Sequence, residues 1–360
     1  MDKYIVVVGG YGHVGQDVCR ELGERYPGRV YAAGRNLARA EQFSRETGGK
    51  VKPMQIDIKK GFGDDERFHQ IGMVTMCLDQ TDTAFIRSCL ERGIHYVDVT
   101  ANLDFLEQVE QLHEVAASGQ ATAVLSVGLA PGLTNLMAHH AALQMDRADT
   151  VDISIMLGLG DRHGKAAIEW TVDSLSSRFD IVEHGRLKPV TSFSGGRTVS
   201  FGPSLGRKTA YRFPFPDQRI VVRTLGIPTV STRLCFDSAI VTRLLAWFKS
   251  AGGFRLLSHR ALRPLIVKGF GLIRYGQPVF AVKVDAKGVK NGKQVSVECL
   301  LQGAREAAAT AQTAVFVADK LFQSGDLPHG VYHIEQLFRL EQLLPPGNRY
   351  ATLDVQVSYS

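Results

Sequence analysis

The chain has 360 residues, of which 44% are hydrophobic, 22% charged and 8% aromatic, with 36 Gly and 13 Pro. That length and composition exclude a disordered or collagen-like chain and fit two globular domains. The net charge of +6 is small for such a length and argues against nucleic acid as a partner. No apolar run reaches the ~18 residues that a spanning helix needs. The five cysteines, Cys19, Cys77, Cys89, Cys235 and Cys299, are odd in number and widely spaced, with neither CxxC nor a Cys/His cluster of metal spacing. A reducing compartment and no metal are expected. Met1-Asp2-Lys3-Tyr4 runs straight into a strand-like segment without the features of a secretory signal, so the expected location is cytoplasmic.

In chain order, strand patterns at 4–8, 29–33, 51–58, 72–78, 95–99 and 121–127 alternate with helical patterns at 13–26, 37–47, 83–92 and 104–117. This alternation predicts a parallel sheet with crossover helices, and six strands make a complete doubly wound sheet of Rossmann type within an α/β chain. A helix is predicted at 131–143. The stretch 150–300 then has strands, Gly/Pro turns and few crossover helices, which predicts a second, α+β and mostly antiparallel domain for substrate and dimerisation. An Ala-rich helix at 304–323 is expected to return to the first domain. The predicted division is 1–130, 131–303 and 304–360.

Gly10-Tyr11-Gly12-His13-Val14-Gly15 is a GxGxxG between the first strand and the first helix. Its first glycine makes the tight turn, the second admits a pyrophosphate to the backbone, and the third allows close helix–strand packing; the helix N-terminus adds free N–H groups and a positive dipole. Where an NAD-preferring protein places an acid on the ribose hydroxyls, the second strand ends in Gly34-Arg35-Asn36. A guanidinium pairs with a 2′-phosphate and an acid repels it, so NADP is the expected cofactor. Asp57 and Ile58, after the third strand, are placed to meet the adenine. Cys77-Leu78-Asp79, after the fourth, belongs beside the ribose or nicotinamide, with Cys77 a packing residue rather than a nucleophile, since no base is adjacent.

Several segments together resemble the saccharopine dehydrogenase-like NAD(P)-binding family of saccharopine reductases, lysine dehydrogenases and carboxynorspermidine dehydrogenases. They are Gly93-Ile94-His95-Tyr96-Val97-Asp98-Val99-Thr100, Gly128-Leu129-Ala130-Pro131-Gly132-Leu133-Thr134-Asn135, Thr310-Ala311-Gln312-Thr313 and Gly330-Val331-Tyr332-His333-Ile334-Glu335. The resemblance covers about 1–140 and 295–336. It implies a nicotinamide cofactor and hydride transfer, with an amino acid, an opine-like imine or an aldehyde as substrate. Two positions depart from the pattern. Ala130 stands where saccharopine reductases carry an acid before Pro-Gly, and Ser126 stands where some lysine dehydrogenases carry Asp.

The loops after the fourth, fifth and sixth strands converge where a nicotinamide lies, at the carboxyl ends of the sheet. They bring Thr100, Asn102 and the loop of Gly128, Pro131 and Gly132 to that place, residues that also read as caps and turns. Asp104 fits a helix N-cap. In the second domain His163 or Lys165 is a candidate proton source and Trp170 a candidate substrate wall, though an amphipathic surface helix explains the same residues. Arg223, in an apolar segment read as a strand over 220–225, is a candidate for a substrate carboxylate, or an exposed strand residue. Tyr211 to Pro216 reads as a pocket lining or as an edge strand ended by prolines.

Residues 238–284 hold eight basic residues and no acid, more positive charge than the whole chain's +6, among many large apolar side chains. Three readings stand: a subunit interface or lid, peripheral contact with an anionic membrane or a lipid-like substrate, and a solvated face. The sequence as a whole points to an NADP-dependent oxidoreductase acting on C=N or C–N bonds, expected as a homodimer. The alternatives are a nucleotide-binding sensor without chemistry and a reductase of a lipid-like substrate at the membrane surface.

Overall fold

The structure, a computed structural model, describes residues 3–61, 66–161, 164–251, 267–268, 276–323, 326–345 and 351–359. It divides into two compact units: unit 1 is Met1–Leu133 with Thr310–Phe338, and unit 2 is Thr134–Ala309 with Arg339–Ser360. Unit 1 opens with β1 (Tyr4–Val8), α1 (His13–Arg25), β2 (Val30–Gly34), α2 (Leu37–Glu46) and β3 (Val51–Gln55). It continues with β4 (Ile71–Met76), α3 (Ala84–Glu91), β5 (His95–Asp98), α4 (Leu103–Glu110), α5 (His113–Ser118) and β6 (Thr122–Leu125). Residues of β2, β4 and β6 are buried throughout, as strands covered on both faces must be.

Two expectations change here. The helix predicted over 104–117 is two helices broken at Gln111–Leu112, where Leu112 turns into the core at 2% exposure. Its N-cap is Asn102 rather than Asp104: the Asn102 Oδ1 accepts from Phe105 N at 3.2 Å.

Unit 2 contains helix α6 (Thr134–Ala142), β7 (Arg147–Leu157), α7 (Lys165–Ser174), the hairpin β8 (Arg178–Glu183) and β9 (Arg186–Thr191), β10 (Arg197–Ser200) and β11 (Arg207–Arg212). It goes on with helix Asp217–Leu225, β12 (Val230–Phe236), helix Ala239–Ser250, β13 (Val279–Lys290) and β14 (Lys293–Ala304). The helix Glu306–Gln323 leads to β15 (Gly330–His333), and the last strand is β16 (Ala351–Tyr359).

The sheet of unit 1 has the order β15-β6-β5-β4-β1-β2-β3 with all neighbours parallel. It therefore has seven strands, because the returning segment adds β15 beside β6. The sheet of unit 2 follows β10-β11-β12-β7-β13-β14-β16, with β8 on β12 and β9 on β8. Only β12 and β7 pair parallel; the remaining pairs are antiparallel. One face of this sheet packs against α6 and the helix Asp217–Leu225. The segment 304–360, expected to return as one piece, is split: Thr310–Phe338 joins unit 1 and Arg339–Ser360 joins unit 2, where β16 pairs with β14. Among the described residues no helix is long and apolar enough to cross a membrane.

Candidate cofactor site

The sheet order of unit 1 reverses between β1 and β4, and in open α/β sheets ligands bind at the carboxyl ends of the strands beside such a reversal. An open cleft of about 1010 Å³ lies there, lined from the β1–α1 turn by Gly9, Tyr11 and Gly12, from the end of β2 by Gly34, Arg35 and Asn36, from α2 by Leu37 and Arg39, from beyond β3 by Asp57, Ile58 and Lys59, and from beyond β4 by Leu78 and Asp79. Backbone packing dictates the glycines of the turn. A Cβ on Gly15 would sit 2.2 Å from the Gly9 carbonyl oxygen, and one on Gly12 2.9 Å from the same atom. Gly10 meets Ala32 Cα and Val7 O at 2.8 Å in the same way. Their lack of side chains keeps the start of α1 close to the strand and bares the backbone where His13 and Val14 begin the helix, the cradle a pyrophosphate requires.

The far wall of the cleft is organised by Tyr11. Its hydroxyl accepts from Asn36 N at 3.0 Å, and the Arg39 guanidinium stands 5.0 Å from its ring centroid. A Cβ on Gly34 would fall 2.3 Å from that hydroxyl, so the place where an acid would leave β2 is filled by the Tyr11 ring. Asn36 is itself the N-cap of α2, its Oδ1 accepting from Arg39 N at 3.1 Å, and Gln55 Nε2 donates to Arg35 O at 3.0 Å. Arg35, Arg39 and Lys59 thus give this wall three cations, while Asp57 Oδ1 is engaged by Lys59 N at 3.2 Å. Arg39 and Lys59 are not singled out by sequence patterning. The signal for Arg39 was the spacing that puts it one turn into α2, three residues past the cap.

Of the other predicted cofactor residues, Leu78 lines the cleft and Cys77 does not. Burial, reinforced by the charge of Asp98, pushes the Cys77 thiol up to about 12, so it is a thiol rather than a thiolate at neutral pH. Thr100 is buried in a polar cluster. Its N–H donates to Asp98 Oδ1 at 2.8 Å and its hydroxyl to Asp79 Oδ1 at 3.4 Å, while Gln80 Nε2 bonds both Asp98 Oδ2 at 3.2 Å and the Tyr96 hydroxyl at 2.7 Å. Burial, opposed by the Thr100 N–H and the Tyr96 hydroxyl, raises the Asp98 carboxyl to about 7. Asp98 therefore exchanges a proton near neutrality, one hydroxyl away from the cleft-wall residue Asp79.

Gly128, Pro131 and Gly132 lie in the turn between β6 and α6 and do not line the cleft. Leu129 N in this turn donates to Thr310 Oγ1 at 3.3 Å. Ser126, just before it, has φ of 58° and is fully buried, its hydroxyl 2.7 Å from His333 Nδ1. His333 Nε2 meets Glu110 Oε1 at 2.9 Å. The returning strand β15 thus supplies the partner of Ser126, a connection across 207 residues that no local pattern signals.

In unit 2, His163 lies outside the described residues, as do residues 252–266 and 269–275 of the basic segment 238–284. Lys165 is the first residue of α7. Trp170 packs on Phe213 and Phe215 at centroid distances of 5.4 and 5.2 Å, inside an aromatic cluster. Asn102 is exposed and its side chain serves the α4 cap. The segment containing Arg223 is a correction: it is the helix Asp217–Leu225, with Arg223 exposed in its last turn. Pro216 before this helix and Gly226 in the left-handed conformation after it (φ 67°) are the start and stop signals of a helix. Residues 207–212 form β11, which pairs on both sides and is not an edge.

The polar part of unit 2 centres on Asp152. Burial alone would raise its pKa, but the hydroxyl of Ser231 at 2.6 Å and the guanidinium groups of Arg197 and Arg233 hold it below the usual carboxylate range. Arg212 pairs across from Arg233 in the β11–β12 register. The Arg212 Nη1 is buried and has no hydrogen-bond partner. Among the described residues no group of three or more His, Cys, Asp or Glu is placed to hold a metal ion.

Residues 5–124 match the family model described as the saccharopine dehydrogenase NADP binding domain. Among solved structures, apo saccharopine dehydrogenase (L-Glu forming) from Saccharomyces cerevisiae aligns over 98% of this chain and 100% of its own, with 14% identity and a TM-score of 0.66. DAP dehydrogenase of C. glutamicum in complex with DAP aligns over 96% and 97% at 13% identity and a TM-score of 0.48. An engineered D-amino acid dehydrogenase bound to NADP+ aligns over 97% and 98% at 14% identity, also with a TM-score of 0.48. At such identities the yeast structure establishes a shared fold, and the family match establishes the kind of nucleotide domain. Residues 5–124 thus carry a domain of the saccharopine dehydrogenase NADP-binding kind, and the chain shares its fold with the yeast protein.

Proposed function

We propose that the chain is an NADP-dependent oxidoreductase that transfers hydride between the nicotinamide and a C=N or C–N bond of an amino-acid or opine-like substrate. The observation that carries this reading is the cation-lined wall at the end of β2, where Tyr11 fills the position an acid would need and Arg35 and Arg39 flank it. In this reading Gly10, Gly12 and Gly15 with the first turn of α1 hold the pyrophosphate. Arg35, Arg39 and Lys59 receive the 2′-phosphate, with Asn36 fixing the start of α2, and Asp57 and Ile58 border the adenine. Bound NADPH supplies the hydride from nicotinamide C4. Asp98 holds an exchangeable proton at its carboxyl, and Thr100 joins it to Asp79. All five cysteines are free, which suits a cytoplasmic protein.

A second reading, a nucleotide sensor without chemistry, draws on Ser126, whose hydroxyl is committed to His333 and closed to solvent. NADPH consumption across a panel of amines paired with 2-oxo acids or aldehydes distinguishes the two. Oxidation with at least one pair supports the reductase. Tight NADPH binding with no oxidation across the panel refutes it and favours the sensor.

A further inference from the structure

We infer that Asp79 and Asp98 form a negative end of the cofactor cleft that favours the oxidised cofactor, NADP+, over NADPH. This deepens the cofactor reading and rests on it, though not on the identity of the substrate. In an open α/β sheet the pyrophosphate sits over the first βα turn, so the two nucleotide halves run to opposite sides of β1. Arg35, Arg39 and Lys59 receive the 2′-phosphate half beyond β2 and β3. The nicotinamide half then falls beyond β4, where Asp79 lines the cleft.

The cleft is thus polarised. Of its two lining carboxylates, Asp57 shares the cationic side, and Asp79 stands on the other. Thr100 ties Asp79 to a second carboxylate: its hydroxyl donates to Asp79 Oδ1 at 3.4 Å and its N–H to Asp98 Oδ1 at 2.8 Å. Asp98 is fully buried. Gln80 turns its amide nitrogen to Asp98 Oδ2 at 3.2 Å and to the Tyr96 hydroxyl at 2.7 Å, leaving its own Oε1 buried without a hydrogen-bond partner. All these donors are neutral. Among the described residues neither carboxylate forms an ion pair with Lys, Arg or His. A buried carboxylate without a counter-charge is costly, and a cation brought to this end offsets part of the cost. The nicotinamide ring is that cation when oxidised and is neutral when reduced. The two cofactor forms carry the same phosphates, so the cationic wall holds both alike and the carboxylates separate them.

Asp98 makes this preference depend on pH. Burial, opposed by the Thr100 N–H and the Tyr96 hydroxyl and reinforced by the charge of Asp79, raises its carboxyl to about 7. The other ionisable groups facing it are Tyr96 on its own strand and Cys77 after β4, with Cys89 of α3 facing Tyr96; burial keeps all three protonated near neutrality. On the far side β5 pairs with Ala123 and Val124 of β6, which do not ionise. Negative charge therefore appears on Asp98 as pH rises through about 7, and the preference for NADP+ grows with it. Reciprocally, bound NADP+ favours the ionised Asp98.

The test titrates the full-length protein with NADP+ and with NADPH by calorimetry, without substrate, so that no substrate ammonium or iminium can supply the cation. The quantity read is the ratio of the two dissociation constants between pH about 6 and about 8.5. Titration of the 2′-phosphate, near pH ~6, is common to both cofactors and cancels in that ratio. The ratio should move at least about fivefold towards NADP+ over this range. Asp98→Asn should hold it constant with pH. Asp79→Asn should move it at least about fivefold towards NADPH at every pH. A residue that only packs would change both affinities together and leave the ratio alone. Asp79 is exposed, so its variant decides the matter even if Asp98→Asn does not fold. With both cofactors bound, a wild-type ratio that ignores pH, an Asp98→Asn ratio that still follows it, or an Asp79→Asn ratio equal to that of the wild type overturns the proposal and leaves the cofactor reading standing. Failure to bind either cofactor overturns both.

Discussion

Gly34→Asp tests the cofactor wall directly. In many dinucleotide sites an acid at the end of the second strand binds the ribose hydroxyls, but here its Cβ alone would come within 2.3 Å of the Tyr11 hydroxyl, 2.7 Å of Cζ and 2.9 Å of Cε1. The ring must move, and its movement breaks the bond from Asn36 N and the stacking of Arg39. Those two losses amount to about 1 kcal/mol for the hydrogen bond and about 0.5–1 kcal/mol for the cation–π contact. Crowding a packed site adds about 1–3 kcal/mol, so the single variant should be less stable by about 2.5–5 kcal/mol. It should also bind NADPH more weakly by about 10- to 150-fold, the equivalent of one charge-assisted hydrogen bond of about 1.5–3 kcal/mol. In Tyr11→Ala/Gly34→Asp the carboxylate has room, the crowding part of the loss is relieved, and preference should move from NADPH towards NADH. Denaturant unfolding and fluorescence titration with both cofactors read the outcome. A Gly34→Asp protein with wild-type stability and wild-type NADPH affinity would refute the reasoning.

Arg35→Ala and Arg39→Ala should each weaken NADPH by about 10- to 150-fold and leave NADH nearly unchanged, since only NADPH carries the 2′-phosphate; equal losses for both cofactors contradict the assignment. Asp98, raised to about 7 from an ordinary value of 3.8, should make folding less favourable as pH rises from about 4 to 7. Below the unfolded pKa both states are protonated, and above it the unfolded carboxylate ionises first, so stability falls through this window by on the order of 4 kcal/mol. Asp98→Asn should remove that slope in denaturant titrations against pH, and an unchanged slope would show that Asp98 ionises normally. Cys77, with its thiol near 12, should resist alkylation in the native protein at pH about 8 and react once unfolded; rapid native labelling at Cys77 would count against its burial.

Most of unit 1 was legible from the sequence because its information is local. Strand runs such as Ile5–Val8 are buried on both faces, helices start and stop within a few residues of their signals, and the glycine spacing of the turn follows from backbone contacts within one βα unit. Arg35 and Asn36, which line the cleft, could be singled out because the end of β2 is a fixed offset from that turn. Arg39 was not, since its contribution depends on the Tyr11 ring reaching across from another loop. Arg223 was misplaced because Ile220-Val221-Val222 is a β-branched run; the helix boundaries, Pro216 and Gly226, outweigh intrinsic preference once Ile220 and Val221 are buried against the sheet.

By itself the sequence determined the α/β class, the nucleotide cradle and the absence of an acid at the end of β2, because periodicity, glycine spacing and strand-end chemistry act over short stretches of chain. Only the tertiary structure decided that the carboxyl-terminal segment 304–360 is shared between units, with β15 beside β6 and β16 beside β14. It alone joined Ser126 to His333. Strand partners and buried polar pairs are chosen among many distant segments of similar pattern, and burial and hydrogen-bond satisfaction across the whole fold select one arrangement.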